Sequence, residues 1–344
     1  MRKKWIYALL TPLVMIVAAG LAGYWMVFGP NTKLYSGERS VYVPRGAGFE
    51  EVVDSLVASE VLASPATFKW FGKLTGWANQ VKAGHYAFEA GASNHKLLDV
   101  IRKGLQEPVR MTVPPGTRPD VIAAVAGRDM EFEAQAFLAA LQDSSLASEL
   151  GTSTDRLFAF MMPETYHFYW LNDAPSVIKK VKESFDAFYD TEIAASADKL
   201  GLTKDEVLTL ASIVEWETSI DEEKPRVAGV YLNRLRRNWP LQADPTVQFV
   251  VIETEGRKRR LLYQDYGIKH PYNTYLFAGL PPGPITNPSP SSIRAVANVE
   301  EHDYMYFVAR GDGSHAFSRT LTEHNRAAQE YYRLMRERRL QQAK

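Results

Sequence analysis

The sequence predicts an α+β protein with an N-terminal transmembrane helix, a small α+β module and a larger mixed α+β domain. The helix is predicted by an uncharged run from Trp5 to Phe28. The module is predicted by the order strand, helix, helix, strand, and the larger domain by amphipathic helices, one apolar helix and a β-hairpin. The predicted segments are a tip at 1–4, the transmembrane helix at 5–28, a linker at 31–40, the module at 41–106 and the larger domain at 107–344.

Composition excludes several classes of function. The 40 basic and 40 acidic residues cancel, which argues against a general nucleic-acid binder. The chain has no cysteine, so it has neither disulfides nor thiolate chemistry. It contains no phosphate-binding glycine loop, zinc-binding HExxH motif or GxSxG nucleophile elbow, and its seven histidines show no ligand spacing. We therefore expect no metal and no cofactor.

The N-terminal run is long enough to cross a bilayer. As a helix, Trp5–Phe28 spans roughly 36 Å before Gly29–Asn31 breaks it. The basic residues Arg2–Lys4 before it predict a cytoplasmic N-terminus and export of the rest of the chain. A cleaved signal peptide is the alternative, because Ala18–Gly23 offers small residues. The apolar run continues past those residues, which favours a retained anchor.

The module begins after the linker. Its predicted elements are a strand at Val41–Val43, helices at Phe49–Val57 and Pro65–Leu74, a returning strand at Ala83–Phe88, and a helix capped by Ser93. This order is similar to that of small sugar-binding modules of the LysM kind. Many other small α+β modules share it, so the order alone does not identify the module.

A short sequence pattern occurs once in the module and again in the next segment, and this weak repeat is called the internal echo. Val43–Gly46 and Val113–Gly116 both have Val-Pro-x-Gly, and each precedes a predicted helix. Residues 107–126 therefore form a possible second strand–turn–helix piece, with its helix at 118–126. Coincidence of turn chemistry explains the echo equally well.

An aromatic cluster occupies Met162–Trp170 and includes Glu164 and Tyr166. Aromatic faces with a few polar tips are typical of carbohydrate grooves. A strand in the hydrophobic core would show the same pattern, and both interpretations stay open. A long amphipathic helix is predicted next, at 176–199.

The helix around Leu208–Thr218 is apolar almost all the way round, so we expect it to be buried. Thr203 and Glu206 form a capping-box pattern that places its start. Near its end, Glu217 shares a face with an aliphatic stripe of Val214, Ile213 and Leu210. Glu215 points to roughly the opposite face, which favours a structural role for it.

A carboxyl group on an apolar face is disfavoured as an anion, so the pKa of Glu217 should be raised. A raised pKa is what a general acid needs to hold its proton near neutral pH. The alternative is a buried glutamate paired with an arginine, for which the sequence offers Arg226, Arg234 and Arg236.

The segments after this helix alternate between helices and polar loops. Lys224 and Pro225 begin a helix, and Gln242 and Asp244 lie in a predicted turn at Leu241–Thr246. Residues 270–290 are too rich in Gly and Pro for a helix or a central strand, and such an ordered loop is usually functional or a lid. The last predicted elements are a helix capped by Ser289, a hairpin of Tyr304–Val308 and His315–Phe317, and a basic helix from about Thr322.

These motifs together resemble the endolytic murein transglycosylases of the YceG-like family. The matching segments in the second half are Ala211–Thr218, Val230–Leu235, Leu241–Val247, Tyr272–Tyr275, Gly279–Ile285, Tyr306–Val308 and His315–Phe317. Those in the first half are Val43–Gly46, Lys82–Phe88 and Pro163–Tyr166. Two departures are modest: Trp216 stands where Lys is common in the family, and Glu164 where Asp is expected.

The resemblance implies that residues 107–344 form a catalytic domain that cuts peptidoglycan glycan strands between N-acetylmuramic acid and N-acetylglucosamine. It implies that Glu217 is the catalytic acid and that the product carries a 1,6-anhydro end. The candidates for substrate binding are Gln242, Asp244, Tyr272, Asn273, Thr274, Tyr275, Glu164 and Tyr166. It also implies a single-pass protein of the bacterial inner membrane whose catalytic domain faces the periplasm, ends glycan elongation and contacts peptidoglycan synthases.

Two rival functions stay open. A muramidase that uses water would need a second carboxylate, and Asp244 is the candidate. A binding or scaffold protein would hold nascent glycan near synthases without cutting it, and would keep its function after Glu217→Gln.

Overall fold

The computed structural model describes residues 2–342, with side chains described for residues 10–341. The chain divides into two compact units. The N-terminal unit comprises the chain up to Met111 together with Arg128–Phe132 and His167–Asp173. The C-terminal unit comprises Thr112–Gly127, Glu133–Tyr166 and the chain from Ala174 onward.

The first helix, α1, spans Arg2–Phe28. Its segment Leu10–Phe28 has a mean hydropathy of 1.8 and is not buried against the rest of the protein. Within residues 2–342 it is the one helix that is long and apolar enough to cross a membrane. This is consistent with the predicted single-pass anchor.

The remainder of the N-terminal unit contains the predicted order of strand, helix, helix and strand. Its elements are β1 Glu38–Val43, α2 Phe49–Ala58, α3 Pro65–Thr75, β2 Gly84–Glu89 and α4 Asn94–Lys103. The strands pair antiparallel, with Val41 opposite Tyr86. Alternating side chains of β1 and the apolar faces of the helices meet in one core.

Caps and turns explain where several of these elements start. Ser93 caps α4 as predicted, since its hydroxyl accepts from the Lys96 N–H at 3.2 Å. Ser64 precedes α3, but its side chain makes no capping bond, and Pro65 begins that helix. Both glycines of the echo, Gly46 and Gly116, have left-handed φ values of +81° and +59°. Each therefore ends a turn that most other residues would strain.

The remaining elements follow in chain order. They are β3 Val109–Thr112, α5 Pro119–Asp129, α6 Ala134–Leu141, α7 Ser144–Glu149, α8 Thr154–Leu157, β4 Thr165–Phe168, α9 Ala174–Phe188, α10 Ala194–Leu200, α11 Lys204–Glu217, α12 Lys224–Arg236, α13 Asp244–Glu255, α14 Pro290–Ala297, β5 Tyr306–Ala309, β6 His315–Ser318 and α15 Leu321–Gln342. Strands β5 and β6 form the predicted antiparallel hairpin, with Phe307 opposite Phe317.

One local prediction holds with an interruption, and another was wrong. The helix predicted at 176–199 is interrupted by a π-helical turn at Tyr189–Ile193 between α9 and α10. The segment around Asp244 is more than a turn, because Asp244 is the first residue of α13. Pro245 lies in the first turn of that helix, where its missing N–H costs nothing, and Gly256 ends it at φ +73°.

Candidate active site

Helix α11 carries its glutamates at the end of a buried segment. The predicted capping box is present, since the Thr203 N–H donates to Glu206 Oε2 at 2.8 Å and the Thr203 hydroxyl accepts from the Glu206 N–H at 3.3 Å. Every residue from Val207 to Val214 is buried. Glu217 is the last residue of the helix, where the aligned backbone carbonyls also disfavour a negative charge.

The Glu217 carboxyl has one donor and is otherwise short of partners. The Tyr231 hydroxyl of α12 donates to Glu217 Oε1, and no described group bonds Oε2. Burial raises the pKa of Glu217 to about 7, although the hydrogen bond from Tyr231 acts to lower it. Near neutral pH the protonated and ionised forms of the carboxyl are therefore both present, and Oε2 is the oxygen that can carry the proton.

The alternative that Glu217 is a buried glutamate paired with an arginine is not supported by the positions of the nearby arginines. Arg226 pairs with Glu300 at 2.9 Å, and Arg236 is exposed. Arg234 is buried and donates to two backbone carbonyls, including that of Met305 at 2.9 Å. Its charge still acts to lower the pKa of Glu217, but burial has the larger effect. Within the described residues Glu217 has no ion-pair partner.

Glu215 meets a different environment on the opposite face of α11. Its Oε2 accepts hydrogen bonds from the Ser289 N–H at 3.0 Å and from the Ser292 hydroxyl at 2.6 Å. Lys224 Nζ lies 3.7 Å from the same oxygen. These contacts tie α11 to the start of α14, which supports the structural role predicted for Glu215.

Glu217 and Asp244 line two cavities of the C-terminal unit. The hairpin-side cavity, about 470 Å³, is also lined by Gln242, Tyr275 and residues of the β5–β6 hairpin. The Lys258-side cavity, about 410 Å³, is also lined by residues such as Trp216 and Lys258. Both cavities reach the same two carboxyls, so a ligand longer than either cavity could occupy both and contact Glu217.

Asp244 is held in place by two tyrosines. The Tyr275 hydroxyl donates to Asp244 Oδ1 at 2.6 Å and the Tyr266 hydroxyl to Oδ2 at 3.2 Å. Gln242 precedes it in a left-handed conformation with φ +49°, which turns the chain toward α13. Three of the predicted binding residues, Gln242, Asp244 and Tyr275, thus line the hairpin-side cavity with Glu217.

Two further predicted binding residues are buried and line neither cavity. Asn273 is fully buried, and its amide donates to the carbonyls of Tyr266 and Ile268 at 3.0 and 2.9 Å. Thr274 is also buried, and its hydroxyl accepts from the Ala243 N–H at 3.0 Å. Buried polar groups that are satisfied in this way hold a loop in shape and do not reach a ligand.

Tyr272 packs its ring against Phe249, with centroids 4.6 Å apart, and lines neither cavity. Glu164 and Tyr166 also line neither cavity. Glu164 is exposed, whereas Tyr166 is buried and donates to the Met162 carbonyl at 2.9 Å. The structure therefore does not bring these three candidates together with Glu217.

Sequence reasoning missed several residues of the site. Tyr231 bonds Glu217, His315 lines the hairpin-side cavity, and Gln248 lines the Lys258-side cavity. Arg234, which the sequence offered only as an ion-pair partner of Glu217, also lines the hairpin-side cavity. Tyr231 could have been found, because an inward-facing tyrosine needs a partner for its hydroxyl. The others depend on distant segments meeting, which spacing along the chain does not encode.

Comparison with known proteins identifies the family. The model of the YceG-like family matches residues 41–330. The chain belongs to the YceG-like family, which confirms the resemblance carried by its motifs.

Two curated relatives are named endolytic murein transglycosylase. The protein of Bacillus subtilis is 29% identical over 311 residues, covering 85% of this chain and 84% of its own length. The protein of Streptococcus pneumoniae strain D39 is 28% identical over 365 aligned residues, covering 96% of this chain and 65% of its own length. The crystal structure of a YceG-like protein from Listeria monocytogenes matches with a TM-score of 0.60 and 25% identity, over 85% of this chain and 99% of that one.

Proposed function

We propose that this protein is a membrane-anchored endolytic transglycosylase that cleaves peptidoglycan glycan strands and leaves 1,6-anhydro ends. The observation that carries the proposal is that Glu217, an acid whose pKa is raised to about 7, lines two cavities. Family membership and the names of the relatives support the same activity. Two cavities that share the acid suit a strand that extends beyond the bond to be cut.

The reaction needs one protein carboxyl. Glu217 Oε2 gives its proton to the glycosidic oxygen as the bond from that oxygen to C1 of the muramic acid breaks. The acetamido group of the substrate stabilises the positive charge at C1, so no enzyme nucleophile is required. Glu217, now ionised, takes the proton of the 6-hydroxyl, whose oxygen closes on C1. The proton is returned to Glu217 and no water is consumed.

The remaining candidates fall into residues that contact the substrate, residues that position them, and residues with neither role. Gln242, Asp244 and Tyr275 line the groove and are proposed to contact the sugars. Asn273 and Thr274 are proposed to position those residues from below, because both are buried and hydrogen-bonded. Tyr272, Glu164 and Tyr166 receive no substrate contact in this proposal.

A muramidase that uses water is the second candidate, because Asp244 lies beside Glu217 in both cavities. Each oxygen of Asp244 accepts a tyrosine hydrogen bond. Both oxygens are thus already hydrogen-bonded, so an attacking water would have to compete with the two tyrosines for them. We therefore favour the reaction in which the substrate's own hydroxyl attacks.

The location of the enzyme follows from its first helix. We propose that Trp5–Phe28 crosses the inner membrane once, with Arg2–Lys4 in the cytoplasm and the rest in the periplasm. Residues 41–106 are proposed to act as a LysM-like sugar-binding module, because their order of strand, helix, helix and strand matches that kind of module. We further propose that the enzyme contacts peptidoglycan synthases and ends the elongation of nascent strands.

Mass spectrometry of products tests this function. Purified full-length protein in detergent is incubated with uncrosslinked glycan strands, alongside Glu217→Gln. We expect anhydro-ended fragments from the wild type and none from the variant. Reducing ends, one water heavier, would establish hydrolysis instead. Unchanged strands with wild type, bound equally by both proteins, would favour the scaffold function.

A further inference from the structure

A histidine in the hairpin-side cavity is held by a carboxylate that the proposed reaction does not use. Glu223 lies directly before α12, and His315 is the first residue of β6. Glu223 Oε1 accepts from the His315 backbone N–H at 2.9 Å, and Glu223 Oε2 lies 2.8 Å from Nδ1 of the ring. Both side chains are 12% exposed. The two contacts hold the histidine at its backbone N–H and at one ring nitrogen.

The hydrogen bond between Glu223 and Nδ1 fixes the tautomer of the ring. An ionised carboxylate can only accept hydrogen bonds, so Nδ1 must carry a hydrogen and donate it. In the neutral ring Nε2 is then a bare acceptor. No described protein group bonds Nε2.

The ring is also fixed in space. It meets Phe307 edge to face, with centroids 5.5 Å apart and planes at 88°. His315 lines the same cavity as Glu217 and Gln242. The other charged groups of that cavity are largely engaged, because Asp244 accepts from two tyrosines and Arg234 donates to backbone carbonyls. A free acceptor at His315 therefore lies beside the place where the glycan is cut.

We infer that His315 is a glycan-binding residue whose Nε2 accepts a hydrogen bond from a sugar hydroxyl, and that Glu223 is a positioning residue that sets its tautomer. The inference rests on the proposed function, since it names a contact in the same groove. A hydroxyl fits because it donates, whereas the carbonyl of an acetamido group would meet a second acceptor. The fixed tautomer therefore excludes the acetamido carbonyl as the partner of Nε2.

Three substitutions separate binding from structure. His315→Asn places an amide nitrogen near Nδ1, so the bond to Glu223 is kept and the acceptor in the cavity is lost. His315→Gln places an amide oxygen near Nε2, so an acceptor is restored. In Glu223→Gln the amide oxygen must face the His315 backbone N–H. Its NH₂ then donates to Nδ1, which leaves the hydrogen on Nε2 and turns the cavity nitrogen into a donor.

The kinetic test uses full-length protein in detergent and uncrosslinked glycan strands. We expect His315→Asn and Glu223→Gln to raise KM roughly tenfold, the effect of one lost hydrogen bond, with kcat within about threefold of wild type. His315→Gln should recover part of that loss. His167→Asn, the same exchange at an exposed histidine of β4 that lines neither cavity, should match wild type. An unchanged KM for His315→Asn would overturn the inference.

Two further measurements keep the inference separate from the proposed reaction. Strand binding is compared between Glu217→Gln and the double variant Glu217→Gln, His315→Asn, neither of which needs to cleave. A roughly tenfold higher Kd in the double variant supports the inference even if wild type proves inactive, and an equal Kd overturns it. Nitrogen NMR of histidine-labelled protein should show the hydrogen of His315 on Nδ1 in wild type and on Nε2 in Glu223→Gln. A hydrogen on Nε2 in wild type would contradict the tautomer argument.

Discussion

Glu215 and Glu217 lie two residues apart on α11, yet their carboxyls meet opposite surroundings. Glu215 accepts from the backbone and hydroxyl of Ser289 and from the hydroxyl of Ser292, with Lys224 nearby. Glu217 accepts one hydrogen bond, from Tyr231, and faces two cavities. The first carboxyl lies among hydrogen-bond donors, whereas burial raises the pKa of the second to about 7.

The difference teaches that burial alone does not decide what a glutamate does. Donors stabilise the charged form of a carboxyl and desolvation stabilises its neutral form. Glu217 ends with a pKa of about 7 because desolvation outweighs its single donor. Removing the donor of Glu217 should therefore raise its pKa further, and the predictions below test the two carboxyls separately.

The largest effect is expected at the acid itself. Glu217→Gln keeps the shape of the side chain and removes the transferable proton, so cleavage should fall by roughly 10² to 10⁴-fold. Counting anhydro ends by mass spectrometry measures the loss. Glu215→Gln is the matched control on the same helix, and folded Glu215→Gln should cleave at a rate near that of wild type. Equal losses in the two variants would remove the distinction between them.

The next effect is expected at the donor to the acid. Tyr231→Phe removes the hydrogen bond that lowers the pKa of Glu217, so that pKa should rise further. Activity that depends on the protonated acid should then persist to higher pH than in wild type. The rate at the optimum should fall roughly tenfold, because the carboxyl loses the bond that orients it. An alkaline limit that stays in place or moves to lower pH would contradict this account.

Substitution of Glu215 should lower the stability of the fold and leave the rate of cleavage nearly unchanged. Glu215→Gln leaves Lys224 without that carboxylate and weakens the bonds from Ser289 and Ser292. We expect a loss of about 2 kcal/mol, the usual worth of hydrogen bonds to a charged group. Thermal unfolding of the full-length protein measures it as a lower Tm. A Tm equal to that of wild type would show that the cluster does not secure α14.

The smallest effect concerns the free energy of unfolding, which depends on the protonation of the Glu217 carboxyl. The pKa of Glu217 is raised from 4.5 to about 7 on folding, so the folded state binds the proton more tightly. Stability from this group is present below pH 4.5 and is lost as pH rises to about 7. Because the side chain is partly exposed, we expect on the order of 1 kcal/mol. Glu217→Gln should therefore have a higher Tm than wild type at pH 8 and no such gain at pH 4. A gain at both values would point to another cause.

Much of the fold was predictable because local signals agreed with it. The capping box at Thr203 fixed the start of α11, and the aliphatic stripe singled out Glu217. The hairpin of β5 and β6 followed from its turn residues. The start of α13 was missed because Asp244 and Pro245 occur as often in turns as at helix starts.

The rest of the site was not predictable, because it depends on contacts between distant segments. Asn273 and Thr274 are polar residues of a loop, which suggested contact with substrate. In the fold they are buried and satisfy backbone groups instead. The bond from Tyr231 to Glu217 and the grip of Glu223 on His315 likewise join separate elements. Spacing along one element cannot reveal such pairs.

The pH dependence of kcat/KM on uncrosslinked glycan strands tests the central claim most directly. If Glu217 acts as a protonated acid, activity of the wild type should fall as pH rises through about 7, with the loss of one proton. Folded Glu215→Gln should show the same limb. A wild-type profile that stays flat to pH 9, or a limb that disappears in Glu215→Gln, would contradict the assignment of the acid to Glu217.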